Sequence, residues 1–203
     1  MGREDLDVAI RALRRSSTKM RKLIDSCPPP SFKSTRNTFR SLARAIVYQQ
    51  LSTTAATTIY RRFLALYPGR AFPKPSEVKA TSTARLRGAG LSKAKASYIK
   101  DLAAFYLDGR ISPRRFRSMS DEEVGEALLP VKGIGQWSVD IFLMFALRRR
   151  NILPVGDLGI RKGMMLHFGL RTLPEPMKMR ALAKPWEPYR SVASWYMWRR
   201  TEL

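Results

Sequence analysis

A chain of 203 residues can hold one sizeable core or two smaller lobes, and a hydrophobic content of 44 % excludes wholesale disorder. Its 38 Lys and Arg against 16 Asp and Glu leave a formal net charge of +22, a single-sign field that draws polyanions. Nucleic acid is the leading partner, ahead of an anionic membrane or a ribosome, while one cysteine (Cys27) and one histidine (His167) exclude an intramolecular disulfide, a cysteine-held cluster and a His/Cys metal site.

Helical spacing recurs along the chain and strand alternation is missing, which predicts an all-α protein. Leu6, Ile10 and Leu13 mark a first helix running to about Ile24, and CPPPSF at 27–32 stops it. The N-terminus has no secretory apolar segment, so an intracellular, reduced setting is expected. Phe39, Leu42, Ile46 and Val47 define a second helix, and a third runs from Thr53 through Tyr60 and Leu64 until YPGRAFPKP breaks the chain. After a short helical stretch near Ser76 comes RLRGAGLSKAK, whose helix starts at Ser92 as N-cap and stops at Gly109. Pro113 fits the first turn of another short helix, and Ser120 with Glu123 forms a capping box that opens the next. LPVKGIGQWSVDIFLMFALRRR then enters the most apolar helix of the chain, still too short to span a bilayer and carrying Asp140, which reads as solvated or salt-bridged. KPWEPYRSVASWYMW at 184–198 reads as a C-terminal helix, and His167 as a packed or capping residue near Gly169.

Gly133 and Gly135 bracket Ile134 just before a helix start. Glycine permits close approach and positive φ, helix N-terminal N–H groups suit a phosphate oxygen, and Ile134 turns inward as a plug. A plain interhelical turn is the alternative. RGAGLSKAK echoes this unit when Gly88 is set beside Gly133 and Gly90 beside Gly135, with Ser92 and Lys93 opening the following helix. Further on, ILPVGDLGIRKG places the only acid between Asp140 and Glu175, Asp157, in a glycine-spaced turn ahead of Arg161. From the residues alone Asp157 reads as a helix cap as readily as a functional carboxylate.

LPVKGIGQWSVDIFLMF followed by LPVGDLGIRKG resembles the helix-hairpin-helix DNA glycosylase superfamily. AIVYQQLSTTAATTIYRRF at 45–63 and KPWEPYRSVASWYMW make the chain most similar to the alkylated-base branch, the 3-methyladenine DNA glycosylases, over most of residues 36–200. The resemblance implies two helical lobes, a central domain at 36–150 containing the hairpin and a second lobe joining 1–35 with 151–203, with an active-site cleft between them. It assigns the cleavage of the N-glycosidic bond to Asp157, with Gly156 where many members carry a second acid. Branches that also cut the backbone place a nucleophilic lysine two residues after the second hairpin glycine; Trp137 stands there, which implies a monofunctional enzyme without lyase activity. Gln50 falls at the position of the plug that fills the space left by a flipped base, with Gln49 and Ser52 as minor-groove neighbours. Trp137 and Trp198 match pocket positions that stack on a cationic purine, although core packing is the commoner use of tryptophan, and Ile141 replaces a pocket tyrosine.

DNA contacts are expected from Gln49, Gln50, Ser52, Gly90, Ser92, Lys93, Lys132, Gly133, Gly135 and Arg161. The partner implied is duplex DNA, with no membrane partner and the protein a monomer in the nucleoid or cytoplasm of a prokaryote, or in a nucleus. No organic cofactor or catalytic metal is implied, but a monovalent cation on hairpin carbonyls around Gly133 and Gly135 is a habit of the family. Competing readings are a glycosylase for deaminated or oxidised bases, a non-catalytic helix-hairpin-helix DNA-binding module, and a basic protein of the ribosome or nucleoid.

Overall fold

The computed structural model describes residues 3–32 and 37–203, and among them the regular structure is entirely helical, without a strand. The N-terminal run is two helices, α1 (Arg3–Ser16) and α2 (Thr18–Asp25), rather than one. Ser17 separates them in an extended conformation, and its hydroxyl accepts from the Met20 N–H at 3.1 Å. A serine that reads as one more polar position competes for a backbone donor and restarts the helix. α3 (Thr38–Tyr48) and α4 (Thr53–Ala65) follow as expected, α4 capped by Ser52. The short α5 (Pro75–Ala80) and α6 (Thr83–Gly88) lead to α7 (Lys93–Leu107), capped by Ser92.

Pro113 opens no α-helix; the segment holds one 3₁₀ turn at Arg115–Arg117. The capping box of α8 (Asp121–Leu128) is in place, with Glu123 N–H donating to Ser120 Oγ at 3.1 Å and Ser120 N–H to the Glu123 carboxylate at 2.6 Å. α9 (Gln136–Phe145), α10 (Leu158–Phe168) and α11 (Pro176–Leu182) complete the middle of the chain. The C-terminal helix α12 spans Arg190–Arg200 and starts later than the sequence pattern suggests, because Pro185 and Pro188 leave residues 184–186 as a 3₁₀ turn. No helix among the described residues is long and apolar enough to cross a membrane.

The chain divides into two compact units, Met1–Ser34 with Leu143–Leu203 and Thr35–Phe142, so the second crossing falls inside α9 and not after residue 150. In the Thr35–Phe142 unit the core is built from Leu42, Ile46 and Val47 of α3, Phe63 of α4, and Ile99 and Leu102 of α7. In the other unit Leu13, Met20, Met164, Trp186 and Tyr196 are sealed from solvent. Here α10 lies directly on α12: a Cβ added at Gly163 would sit 2.0 Å from the Met197 carbonyl oxygen, so no side chain fits between the two helices.

Candidate active site

The turn carrying Asp157 is held at both ends. Upstream, Ile152 N–H donates to Ser191 Oγ at 2.9 Å, and Ser191 Oγ donates to the Arg149 carbonyl at 2.7 Å, which fastens the segment to α12. Asp157 N–H closes the turn on the Pro154 carbonyl at 3.0 Å. Asp157 is the N-cap of α10, and its Oδ1 accepts from Ile160 N–H at 2.9 Å and from the Trp198 indole N–H at 2.8 Å. The residue expected as the functional carboxylate is thus also the helix cap. One helix N–H and an indole donor fix one oxygen of a half-buried carboxylate at the positive end of a helix.

Sequence reasoning placed Trp198 as a base-stacking residue and missed this bond. The indole stacks on Phe145 with centroids 5.9 Å apart, and its edge reaches Asp157 because residue 159 is glycine. A Cβ there would lie 2.8 Å from Trp198 Cδ1 and 3.1 Å from Asp157 Oδ1. The available signal was Gly159 and Gly163, four apart and hence on one face of α10. Arg161, an expected DNA contact, has partners within the protein: Nε donates to the Pro174 carbonyl and Nη2 to the Glu175 carboxylate, both at 3.2 Å.

The hairpin belongs to the Thr35–Phe142 unit. Gly133 has φ +81°, and its α-carbon presses on the Tyr98 ring so closely that a Cβ would lie 2.2 Å from it. Ile134 is buried, as a plug should be, while Lys132 and Gly135 are exposed and Trp137 is 38 % exposed. In the echoing turn the left-handed residue is Gly90, with φ +100°, followed by the buried Leu91 and the exposed Ser92 and Lys93. This corrects the register. Gly90 matches Gly133, Leu91 matches Ile134, and Ser92 matches Gly135, which makes Lys95 and Ser138 the same position of their helices.

The YQQLS segment comes against these turns. Gln50 is exposed and left-handed, with φ +53°, and Ser52 Oγ accepts from Ala55 N–H at 3.3 Å. Gln49, expected as a minor-groove neighbour, turns its amide inward: Nε2 donates to the Gly133 carbonyl at 2.7 Å and to Ser138 Oγ at 3.3 Å. A monovalent cation would need neutral carbonyl oxygens; here the Gly133 carbonyl accepts from Gln49, Val131 from Ile134 N–H and Gly135 from Val139 N–H. Asp140 is buried rather than solvated, and accepts from Gln136 Nε2 at 2.8 Å. His167 is packed against Phe168 and Trp186, and burial, reinforced by Lys19 and Arg200, lowers its pKa to about 4.

The two matching turns make the protein a helix-hairpin-helix scaffold, and the chain belongs to the HhH-GPD superfamily of base excision DNA repair proteins, whose model matches residues 43–188. It is 29 % identical to DNA-3-methyladenine glycosylase 1 of Schizosaccharomyces pombe over 97 % of this chain and 87 % of that one. It is 33 % identical to the putative DNA-3-methyladenine glycosylase YfjP of Bacillus subtilis, over 81 % of this chain and 59 % of the relative. Among solved structures, the S. pombe 3-methyladenine DNA glycosylase in complex with abasic DNA superimposes with a TM-score of 0.88 at 29 % identity, covering 96 % of this chain and 97 % of that chain. The alkylated-base resemblance read from the motifs agrees with these relatives.

Proposed function

We infer that this protein is a monofunctional DNA glycosylase that hydrolyses the N-glycosidic bond of alkylated bases, of the 3-methyladenine and 7-methylguanine type, in duplex DNA. The observation that carries the reading is the carboxylate of Asp157, held through one oxygen by the Ile160 N–H and the Trp198 indole. Alkylation leaves the purine cationic, so when the C1′–N bond breaks the electron pair departs with the base and no acid has to protonate it. Positive charge builds on the sugar instead, and a fixed carboxylate stabilises it and orients the water that adds to C1′. That water passes its proton to the Asp157 carboxylate, which releases it to solvent, and an abasic site remains.

Lyase chemistry needs an amine nucleophile at the hairpin position that here is Trp137. Its partly exposed indole is of the kind that stacks on a cationic purine. The exposed Lys93 and Lys132, with the +22 charge behind them, supply attraction to backbone phosphates. Hairpin carbonyls beside Gly133 would hold a monovalent cation, which would add positive charge toward a phosphate.

Release of free base from duplex DNA carrying 3-methyladenine or 7-methylguanine tests the reading. Asp157→Asn is expected to lose about 100- to 1000-fold in rate, the usual consequence of removing a group that stabilises transition-state charge. DNA binding without release by the wild-type protein overturns the assignment, and a borohydride-trapped covalent adduct overturns the monofunctional claim.

A further inference from the structure

Gln50 has φ +53° without being glycine, a conformation that ordinary residues rarely adopt and that persists where the surroundings over-determine it. The surroundings are specific. Lys95 of α7 extends its ammonium to the Val47 carbonyl at 2.8 Å and the Gln49 carbonyl at 2.7 Å, at the C-terminal end of α3. Burial pushes the Lys95 ammonium below the ordinary lysine range, so its hydrogen bonds are made partly out of water. From the other side, the Gln49 amide uses one donor on the Gly133 carbonyl and one on Ser138 Oγ. In the corrected register Lys95 and Ser138 are equivalent: each is the third residue of the helix that follows a left-handed glycine. Residue 49 is thus gripped by the same position of both turn-and-helix units, its main chain by one and its side chain by the other, while Gln50 projects beside it into solvent.

A lysine capping the end of α3 would account for the first pair of bonds alone. It would not account for an amide that reaches a carbonyl 84 residues away and belongs to the turn expected to bind phosphate. We propose that Lys95, Gln49 and Ser138 form a clamp that presets Gln50 in its left-handed conformation and fixes it in register with the Gly133 hairpin, so that phosphate binding and insertion of Gln50 into the base stack occur as one rigid docking step. Lys95 and Ser138 are positioning residues in this scheme, which rests on the glycosylase reading.

The test is anisotropy titration of wild type, Lys95→Met and Ser138→Ala with two labelled duplexes of the same sequence, one undamaged and one holding a tetrahydrofuran abasic site, where the inserted side chain must fill the gap. Lys95→Met is expected to lose roughly tenfold in affinity for the abasic-site duplex, a step of about 1.4 kcal/mol. Its affinity for undamaged DNA should stay within about twofold, since phosphate contacts alone supply it. Lys95→Arg should recover most of the loss, and Ser138→Ala should show a smaller loss of the same selectivity. A merely structural role would weaken both duplexes in parallel; that outcome, or unchanged discrimination in the variants, overturns the clamp. If Lys95→Met does not fold, Ser138→Ala decides by the same comparison. A wild-type protein that releases no alkylated base overturns the glycosylase reading; one that does, and whose variants discriminate as it does, overturns the clamp alone.

Discussion

Replacing Trp198 by phenylalanine removes one donor from Asp157 and little else. The ring that stacks on Phe145 is retained, as is the Ile160 N–H on the same carboxylate oxygen. The lost bond is a 2.8 Å N–H···O contact to a carboxylate, and a hydrogen bond to a charged group contributes about 1.5–3 kcal/mol. If that energy serves to hold the carboxylate where the sugar becomes positive, the barrier rises by up to the same amount. At about 1.4 kcal/mol per factor of ten, single-turnover excision of 7-methylguanine should slow roughly 10- to 150-fold. The measurement is release of free base from a labelled duplex under enzyme excess, with a thermal melt to show that the fold persists. Trp198→Phe should add almost nothing in an Asp157→Asn background, since groups that act as one unit are not additive. A rate within twofold of wild type would refute the positioning role. An equal loss in both backgrounds would show that the indole acts on the base independently of Asp157.

Gly163→Ala puts a methyl group 2.0 Å from the Met197 carbonyl, a backbone atom that cannot turn away, and should destabilise by about 3 kcal/mol. For a chain of this size the melting temperature should drop by roughly 6–12 °C, and an unchanged melt would mean that α10 and α12 are not in contact in solution. His167 binds a proton less readily in the folded protein, about pH 4 against an ordinary 6.5, so the unfolded state takes up the proton first as pH falls. Stability should be level above pH 6.5 and decline between 6.5 and 4 by about 1–2 kcal/mol after solvent screening. Because the chain has one histidine, its imidazole resonance reads the titration directly, and a midpoint above 6 would contradict the burial. Lys132→Gln should weaken binding to every duplex alike and reduce the salt dependence by about one unit in the log–log slope; sequence-dependent weakening would argue against a phosphate contact.

Elements defined by near neighbours were readable in the chain itself. The Ser120 capping box, the Ser92 cap and the inward Ile134 all follow from interactions within a turn or two. The Gln136–Asp140 bond was readable in principle too, its partners being one helical turn apart, but an acid in a basic chain suggested a solvated or salt-bridged residue. The register of the two turns was not readable from Gly-x-Gly alone, because the string does not say which glycine is left-handed. Gly88 is the last residue of α6 and plays no part in the turn geometry, whereas Gly90 does.

Two bonds, Trp198–Asp157 in one unit and Gln49–Gly133 in the other, join residues 41 and 84 positions apart, and no local pattern encodes either. Each is nevertheless announced by a glycine. At Gly133 the missing side chain is the space the Tyr98 ring occupies, and at Gly159 it is the space through which Trp198 reaches the carboxylate. In both places an aromatic ring takes the volume of an absent Cβ, and at Gly159 that ring itself carries its N–H to a partner far away in sequence. Phosphate binding explains why a hairpin has glycines but does not explain Gly159, which lies inside α10 with ordinary helical geometry. Close packing against Trp198 does explain it, and it follows that Gly159→Ala should slow base release through Asp157 while the hairpin and its affinity for undamaged duplex stay as they are. A loss of duplex affinity equal to the loss in rate would instead make Gly159 part of the DNA-binding surface.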